Sequence, residues 1–353
     1  MPKIALINYR KRILSLILAF ICFCFSLFAL PINFGLSNNL AWADTVNPCE
    51  TSAITADFPY KSNYIEVLGS KMHYIDVGSG KPILFIHGNS GWSYVWRNII
   101  PFVIPQGRAI AVDLMGMGKS DKPAIDYSFA DHYRYLEAFI AALNLQDITL
   151  VVHDWGSTLG FHYASRHKDN VRGIAFMEAF IPPFFPVDNI QQMGEELAEV
   201  FGAVRSSPEG QKLVYERNIF IEELLSNAIL RDLSDAELAA YRCPYLQKPS
   251  RKPLLVWASQ IPIAGEPPET ETIINQYSEW LRQTTIPKLH FYVSPGGSLN
   301  PPEVAQWTAQ HFPNIETHYL GEGLHYLEED YPEEIGRAIA DWLRRIETIN
   351  CDY

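Results

Sequence analysis

Polar and apolar positions alternate in two short stretches, Tyr64–Val67 and Met72–Val77, with Gly69-Ser70 between them. A period of two sends successive side chains to opposite faces of a strand, so the pair reads as a β-hairpin. The pattern then changes. Pro82–Ile86, Ala109–Val112, Ile148–Val152 and Val171–Met177 are short runs with few polar residues, as strands buried on both faces should be. Stretches of helical spacing, Tyr94–Phe102, Phe129–Leu143 and Ser157–Ser165, separate them. From about Phe180 to Pro262 the strand signal is lost. That segment reads as helices and loops, with Pro182, Pro183 and Pro186 at one end and Pro249, Pro253 and Pro262 at the other. Strand patterns return at Lys288–Val293 and Glu316–Leu320, and Ile335–Ile346 is a last amphipathic helix. Strands alternating with helices predict an α/β fold with a doubly wound, mostly parallel sheet. The insertion at 181–262 is expected to lie as a helical cap over the carboxyl edge of that sheet. Residues 61–180 and 263–347 then form the core, and 348–353 a C-terminal tail.

The N-terminus departs from this pattern. Lys3, Arg10, Lys11 and Arg12 precede an apolar run from Ile13 to Leu30, and the segment ends Ala41-Trp42-Ala43 before Asp44. Basic, apolar and small-residue regions in that order mark residues 1–43 as a secretory signal peptide. The rival reading is an uncleaved anchor, since the run is about long enough to span a bilayer. Residues 44–60 read as a linker. The expected location is therefore exported, periplasmic or secreted. The whole chain of 353 residues carries a formal charge of −12, and loss of residues 1–43 takes it to −16. So acidic a protein is a poor partner for nucleic acid or an anionic membrane surface. No obligate protein partner is evident. Cys49 and Cys351 flank the core, and in an oxidising compartment they are candidates for a disulfide joining the termini; two solvated thiols are the alternative. There is no Cys-x-x-Cys and no zinc spacing, so neither a metal nor an organic cofactor is expected.

The chemistry centres on His153-Asp154-Trp155-Gly156. A buried strand, a tight turn and a helix with one reactive side chain at the apex make a nucleophile elbow. Here the apex is the carboxylate Asp154, with Gly156 as a small flanking residue. The plainer reading is that Asp154 caps the following helix. A carboxylate nucleophile needs no activation for the first step but needs a base for the hydrolysis of the ester it forms. His325, in the loop Gly321–Tyr326 after the last strand, stands in the right chain order for that base. His153 should point away from the nucleophile, and His87 should pack the neighbouring loop. The acid that orients His325 is expected at one of two strand ends. One offers Glu178 directly, while the other, Ser294–Asn300, holds no acid before Glu303; Glu178 is preferred. After the strand Pro82–Ile86 come His87-Gly88-Asn89. The main-chain N–H groups of Asn89 and Trp155 are placed to face the nucleophile's oxygen, and their side chains add an amide and an indole donor. Two such donors over an apolar cavity suit a halide.

Together these residues resemble the haloalkane dehalogenases of the α/β-hydrolase superfamily. The likeness runs from about residue 58 to 346. It includes His87-Gly88-Asn89, Tyr94–Pro101, Asp113–Pro123, Val152–Gly156, Ile174–Ala179, Tyr241–Pro244, Ile261–Pro267 and Gly323–Asp330. The resemblance implies an α/β-hydrolase fold with an inserted helical cap and hydrolysis of a small apolar halogenated substrate to alcohol and halide ion, with water as co-substrate. It implies Asp154 as nucleophile, Glu178 and His325 as acid and base, and Asn89 and Trp155 as halide donors. Phe201, Pro262 and Leu299 would line the substrate pocket. Two features depart from the family pattern, the bulky Gly91-Trp92 after the His-Gly-Asn motif and the signal segment. The framework also resembles coelenterazine-using luciferases and epoxide hydrolases; Asn89 weakens the epoxide reading, and Tyr215, Tyr241 and Tyr245 in the cap keep it open. A non-catalytic ligand-binding member is the reading from another class, and it would more naturally have lost Asp154, Glu178 or His325.

Overall fold

The apolar runs of the sequence form one eight-stranded sheet in the computed structural model, in the order β1-β2-β4-β3-β5-β6-β7-β8. The structure describes residues 54–351 apart from 207 and 298, with the backbone alone from 348 onward. Residues 1–43, most of the linker read at 44–60, Cys49 and the Cys351 side chain lie outside the described residues. β1 (Asn63–Val67), β2 (Ser70–Val77) and β4 (Arg108–Val112) pair antiparallel in turn. β3 (Pro82–Ile86), β5 (Ile148–Asp154), β6 (Val171–Ala179), β7 (Lys288–Pro295) and β8 (Ile315–Gly323) continue in parallel, with β3 also parallel to β4. Every residue of β5 and β6 is buried. Their strands carry no alternation because helices cover both faces, which removes water from both.

Helices return the chain between parallel strands. α1 (Phe129–Ala142) starts at a capping box between Ser128 and Asp131, which satisfies two otherwise orphaned N–H groups. It buries Phe129, His132, Leu136, Phe139 and Ile140, a helical stripe. α2 (Trp155–Arg166) follows β5 without a loop. After β6 the chain leaves the sheet for α3 (Glu195–Ser206), α4 (Pro208–Tyr215), a π-helical turn at Phe220–Leu225, α5 (Asp235–Arg242) and α6 (Lys252–Gln260). α7 (Pro268–Gln283) packs back on α2, where the Tyr277 and Phe161 rings meet at 5.4 Å. α8 (Pro302–His311) joins β7 to β8, and α9 (Pro332–Cys351) ends the described chain.

Three details differ from the pattern reading. Tyr94–Phe102 is not one helix but a 3₁₀ turn at Ser93–Trp96, a single α-turn at Ile100–Val103 and a second 3₁₀ turn at Ile104–Gln106. Pro101 and Pro105 lack the N–H that a continuous helix needs. α9 runs on through residues read as a tail, because no Gly or Pro follows Gly336 to stop it. α7 and α8 are two further helices that the pattern reading left unassigned, although α7 buries a helical stripe of Thr270, Ile274, Tyr277, Ser278 and Leu281. No helix among the described residues is long and apolar enough to cross a membrane.

Candidate active site

β5 ends with Asp154 at φ 51°, ψ −128°, and Trp155 is already helical. A side-chain-bearing residue in this region carries roughly 1–3 kcal/mol of backbone strain. The next turn has to press α2 against β3: a Cβ on Gly156 would stand 2.1 Å from the carbonyl oxygen of Ile86. Glycine therefore lets the elbow close, and the Asp154 carboxyl is lifted to the carboxyl edge of the sheet. Asp154 makes no side-chain cap to α2, so the capping reading does not hold. Ser157 instead holds the elbow from below: its Oγ donates to the Asp154 carbonyl at 2.6 Å and accepts from the Phe180 N–H at 3.2 Å.

His325 lies two residues beyond β8. Its Nδ1 donates to Glu178 Oε2 at 2.9 Å, and its Nε2 faces Asp154 Oδ2 at 3.7 Å, outside hydrogen-bond range. Glu178 thus takes Nδ1–H and leaves the Nε2 lone pair turned toward the Asp154 carboxyl. His325 and Asp154 keep 16% and 10% of their side-chain surface accessible, whereas Glu178 keeps 1%. Of the two strand ends weighed for the acid, it is β6 whose carboxyl, Glu178, lies against His325. The end of β7 does something the sequence did not reveal. The main-chain N–H groups of Leu299 and Asn300 donate to the two Glu178 oxygens, both at 3.2 Å. The fully buried Asn300 amide then pairs with both main-chain groups of Ala179, at 2.7 and 2.8 Å. A Cβ on Gly297 would lie 2.1 Å from Glu178 Oε2 and 2.7 Å from His325 Cα. The acid-free glycine loop is therefore the cradle of the acid. Gly296-Gly297 followed by Asn300 was its only trace in the sequence.

Burial pushes the Asp154 carboxyl above its ordinary 3.8, against the opposing His325 charge and the main-chain N–H groups of Trp155 and Asn89. Burial would pull His325 down. The hydrogen bond and charge of Glu178, with the charge of Asp154, outweigh it and hold the imidazole above its ordinary 6.5.

Asn89 follows β3 and is half-buried. Its main-chain N–H donates to Asp154 Oδ1 at 2.6 Å. Its side-chain Oδ1 accepts from the Ser90 N–H at 3.0 Å, and its Nδ2 makes only a long 3.4 Å contact to the Leu254 carbonyl on α6. The Trp155 indole packs between Trp257 at 4.4 Å and Phe180 at 4.7 Å. Trp257, on α6, was not singled out in the sequence. Phe201 on α3 is half-buried, 6.1 Å from Phe220, and Pro262 is buried just past α6, where its carbonyl accepts from the Val187 N–H. Leu299 is buried beside Glu178 and serves the acid through its main chain. His87 braces the loop as expected: its Nε2 accepts from the Leu114 N–H at 3.0 Å and its Nδ1 donates to the Gly88 carbonyl at 2.8 Å.

A buried charge network ties the cap to the His325 loop. Arg97 donates to Glu329 Oε1 and Oε2 at 2.6 and 2.9 Å and to Glu237 Oε1 at 2.7 Å. Arg231 bridges the same two carboxylates from the cap, and the Tyr241 hydroxyl donates to Glu329. The Tyr326 N–H donates to the Ala228 carbonyl at 3.0 Å, and the Tyr326 hydroxyl to the Asn89 carbonyl at 2.9 Å. Among the described residues no group of His, Cys, Asp and Glu is arranged to hold a metal ion.

A family model described as the alpha/beta hydrolase fold matches residues 81–207. The chain is 45% identical over 291 residues to a haloalkane dehalogenase of Mesorhizobium japonicum, covering 82% of this chain and 93% of that protein. It is also 45% identical over 294 residues to a haloalkane dehalogenase of Sphingobium indicum, covering 81% and 96%. Among solved structures, a haloalkane dehalogenase from Bradyrhizobium elkani superposes with a TM-score of 0.79 at 40% identity, covering 82% of this chain and 99% of that one. A putative ancestral haloalkane dehalogenase gives 0.78 at 42% identity, covering 81% and 99%. An aspartate elbow, an acid-held imidazole facing it and identity on this scale lead to one assignment: the chain belongs to the haloalkane dehalogenases, on the α/β-hydrolase fold.

Proposed function

We propose that the protein hydrolyses haloalkanes to an alcohol and a halide ion through an ester on Asp154. The observation that carries this reading is the Asp154 carboxylate itself, at the elbow apex with Oδ1 held by the Asn89 N–H and Oδ2 facing the His325 imidazole at 3.7 Å. Oδ1 is bound by the Asn89 N–H, which leaves the lone pairs of Oδ2 for the substrate. Oδ2 attacks the halogen-bearing carbon in line. The C–O bond forms as the carbon–halogen bond breaks, and the halogen leaves with the bonding pair. Asn89 Nδ2 and the Trp155 indole N–H receive the halide; the long contact from Asn89 to Leu254 is easily exchanged for it.

The ester no longer carries the Asp154 charge, so one of the influences that raise His325 is gone. The imidazole is then more readily neutral when it is needed as a base. His325 Nε2 takes a proton from water, whose oxygen adds to the ester carbonyl carbon. The main-chain N–H groups of Asn89 and Trp155 hold the oxyanion that develops on Oδ1. Collapse of the adduct returns the proton to the departing alkoxide, frees the alcohol and releases one proton to solvent.

The epoxide reading is disfavoured because Tyr241 spends its hydroxyl on Glu329 and Tyr245 turns its own toward the Gly91 carbonyl. Halide release is to be measured on brominated and chlorinated alkanes, beside an epoxide and coelenterazine. Release from haloalkanes, with an alkyl adduct on Asp154 in His325→Phe, is expected; a folded His325→Phe without adduct on any 1-haloalkane rejects the scheme. Export is the companion proposal, supported by the basic, apolar and small-residue order of residues 1–43. A mature chain beginning at Asp44 by intact mass is the expected result.

A further inference from the structure

Behind the base lies a second imidazole–carboxyl pair that the reaction above leaves unused. His153 and Glu328 are buried at 1% and 0% exposure. His153 Nε2 lies 3.0 Å from the main-chain oxygen of His325. A carbonyl only accepts, so Nε2 carries the hydrogen and donates it. In a neutral imidazole the other nitrogen, Nδ1, is then an acceptor. Facing Nδ1 at 3.2 Å is Glu328 Oε1. Neither Glu328 oxygen meets a donor from another residue in hydrogen-bonding geometry among the described residues, the 3.2 Å approach to His153 included. An ionised carboxylate that is fully buried with only its own main-chain N–H as a donor, among other carboxylates, is among the most expensive groups a protein can bury.

We infer that Glu328 is a protonated positioning residue: its O–H donates to His153 Nδ1, fixing His153 in the tautomer whose Nε2–H grips the main chain of the catalytic base. The surroundings favour the same state. Burial, with the carboxylates Glu329, Glu178 and Asp154, drives Glu328 well above the ordinary carboxyl range. Burial, with His325 and His87, drives His153 well below 6.5. The two rings are 4.6 Å apart, so His153 also limits the tilt of His325. Glu328 sits three residues after His325, and the main-chain grip sets where the loop can place its imidazole. The inference rests on the reading of His325 as the base of ester hydrolysis.

Two measurements test it. In the full-length enzyme labelled with ¹⁵N-histidine, ring-nitrogen shifts are expected to show His153 protonated at Nε2 alone, with Nδ1 accepting a hydrogen bond. An imidazolium, or a proton on Nδ1 alone, overturns the assignment and needs neither a variant nor turnover. The second measurement separates the two chemical steps by rapid-quench kinetics. Glu328→Gln, whose amide can donate to Nδ1 as the acid does, is expected to stay within about twofold of wild type in both. Glu328→Leu is expected to slow ester hydrolysis by about tenfold, the low end for a partner that orients a functional imidazole, with ester formation unchanged and alkyl-Asp154 accumulating. A Gln variant as slow as Leu would mean an ionised Glu328; a Leu variant that alters neither step, or both equally, would leave the pair no positioning role. If Leu does not fold, the nitrogen shifts of wild type and Gln decide. An adduct in His325→Phe but not in Glu328→Leu sinks the inference and spares the base reading. No adduct in His325→Phe sinks that reading, and the nitrogen shifts still judge the pair.

Discussion

Arg97 is the place where one substitution should most disturb the union of cap, core and base loop. Its side chain is 1% exposed, and its donors reach Glu329, Glu237 and the carbonyls of Thr55 and Tyr94. The network holds two cations, Arg97 and Arg231, against two anions, Glu237 and Glu329. Arg97→Met leaves two buried carboxylates with one guanidinium, and an uncompensated buried charge costs about 3–5 kcal/mol. Unfolding entropy of about 2.1 cal/mol/K per residue over roughly 300 residues is about 0.6 kcal/mol/K, so Tm should fall by about 5–8 °C. Glu329→Gln alone also breaks the balance, but the double variant restores one cation to one anion. Thermal melts followed by circular dichroism on the four proteins should therefore show the double variant less destabilised than the summed singles by more than about 1 kcal/mol. Additivity within about 0.5 kcal/mol, or a loss below about 1 kcal/mol for Arg97→Met, would refute the view that charge balance holds this junction.

Three further outcomes are expected. Asp154→Asn should be inactive yet melt higher than wild type near pH 8. A carboxyl whose folded pKa is raised loses stability as pH climbs from its unfolded value through its folded one; the gap should close on acidification, and a lower melting point at pH 8 would contradict the burial argument. His325 should titrate above 6.5 in the resting enzyme by NMR, while the acid limb of kcat falls below that midpoint, because the ester lacks the Asp154 charge; a limb at or above the resting midpoint would count against the two-step account. Trp155→Phe should slow ester formation by roughly 10²–10³ and spare ester hydrolysis, as measured by rapid quench; equal losses in both steps would remove the indole as a leaving-group donor.

All eight strands were legible because burial on one or both faces writes a local pattern into the chain. Asp154 was legible for a related reason: a carboxylate between a wholly apolar strand and a glycine-bearing helix start leaves few conformations open. His325 followed from chain order. Other features had no local signature. The stretch from Ser93 to Gln106 kept a helical spacing of apolar residues, but two prolines broke it into short turns. Trp257 looked like any core aromatic until α6 brought it against Trp155.

The sequence by itself determined the sheet, the elbow and the identity of its carboxylate, since each depends on residues close together in the chain. Only the tertiary structure decided how that chemistry is held. Asn300 meets Ala179 across 121 residues, Glu178 meets His325 across 147, and His153 meets His325 across 172. Hydrogen bonds of that kind are short-ranged in space and unconstrained in sequence. A periodicity can announce which face of a strand is buried, but the partner of a buried polar atom is known only once the fold has brought the two together.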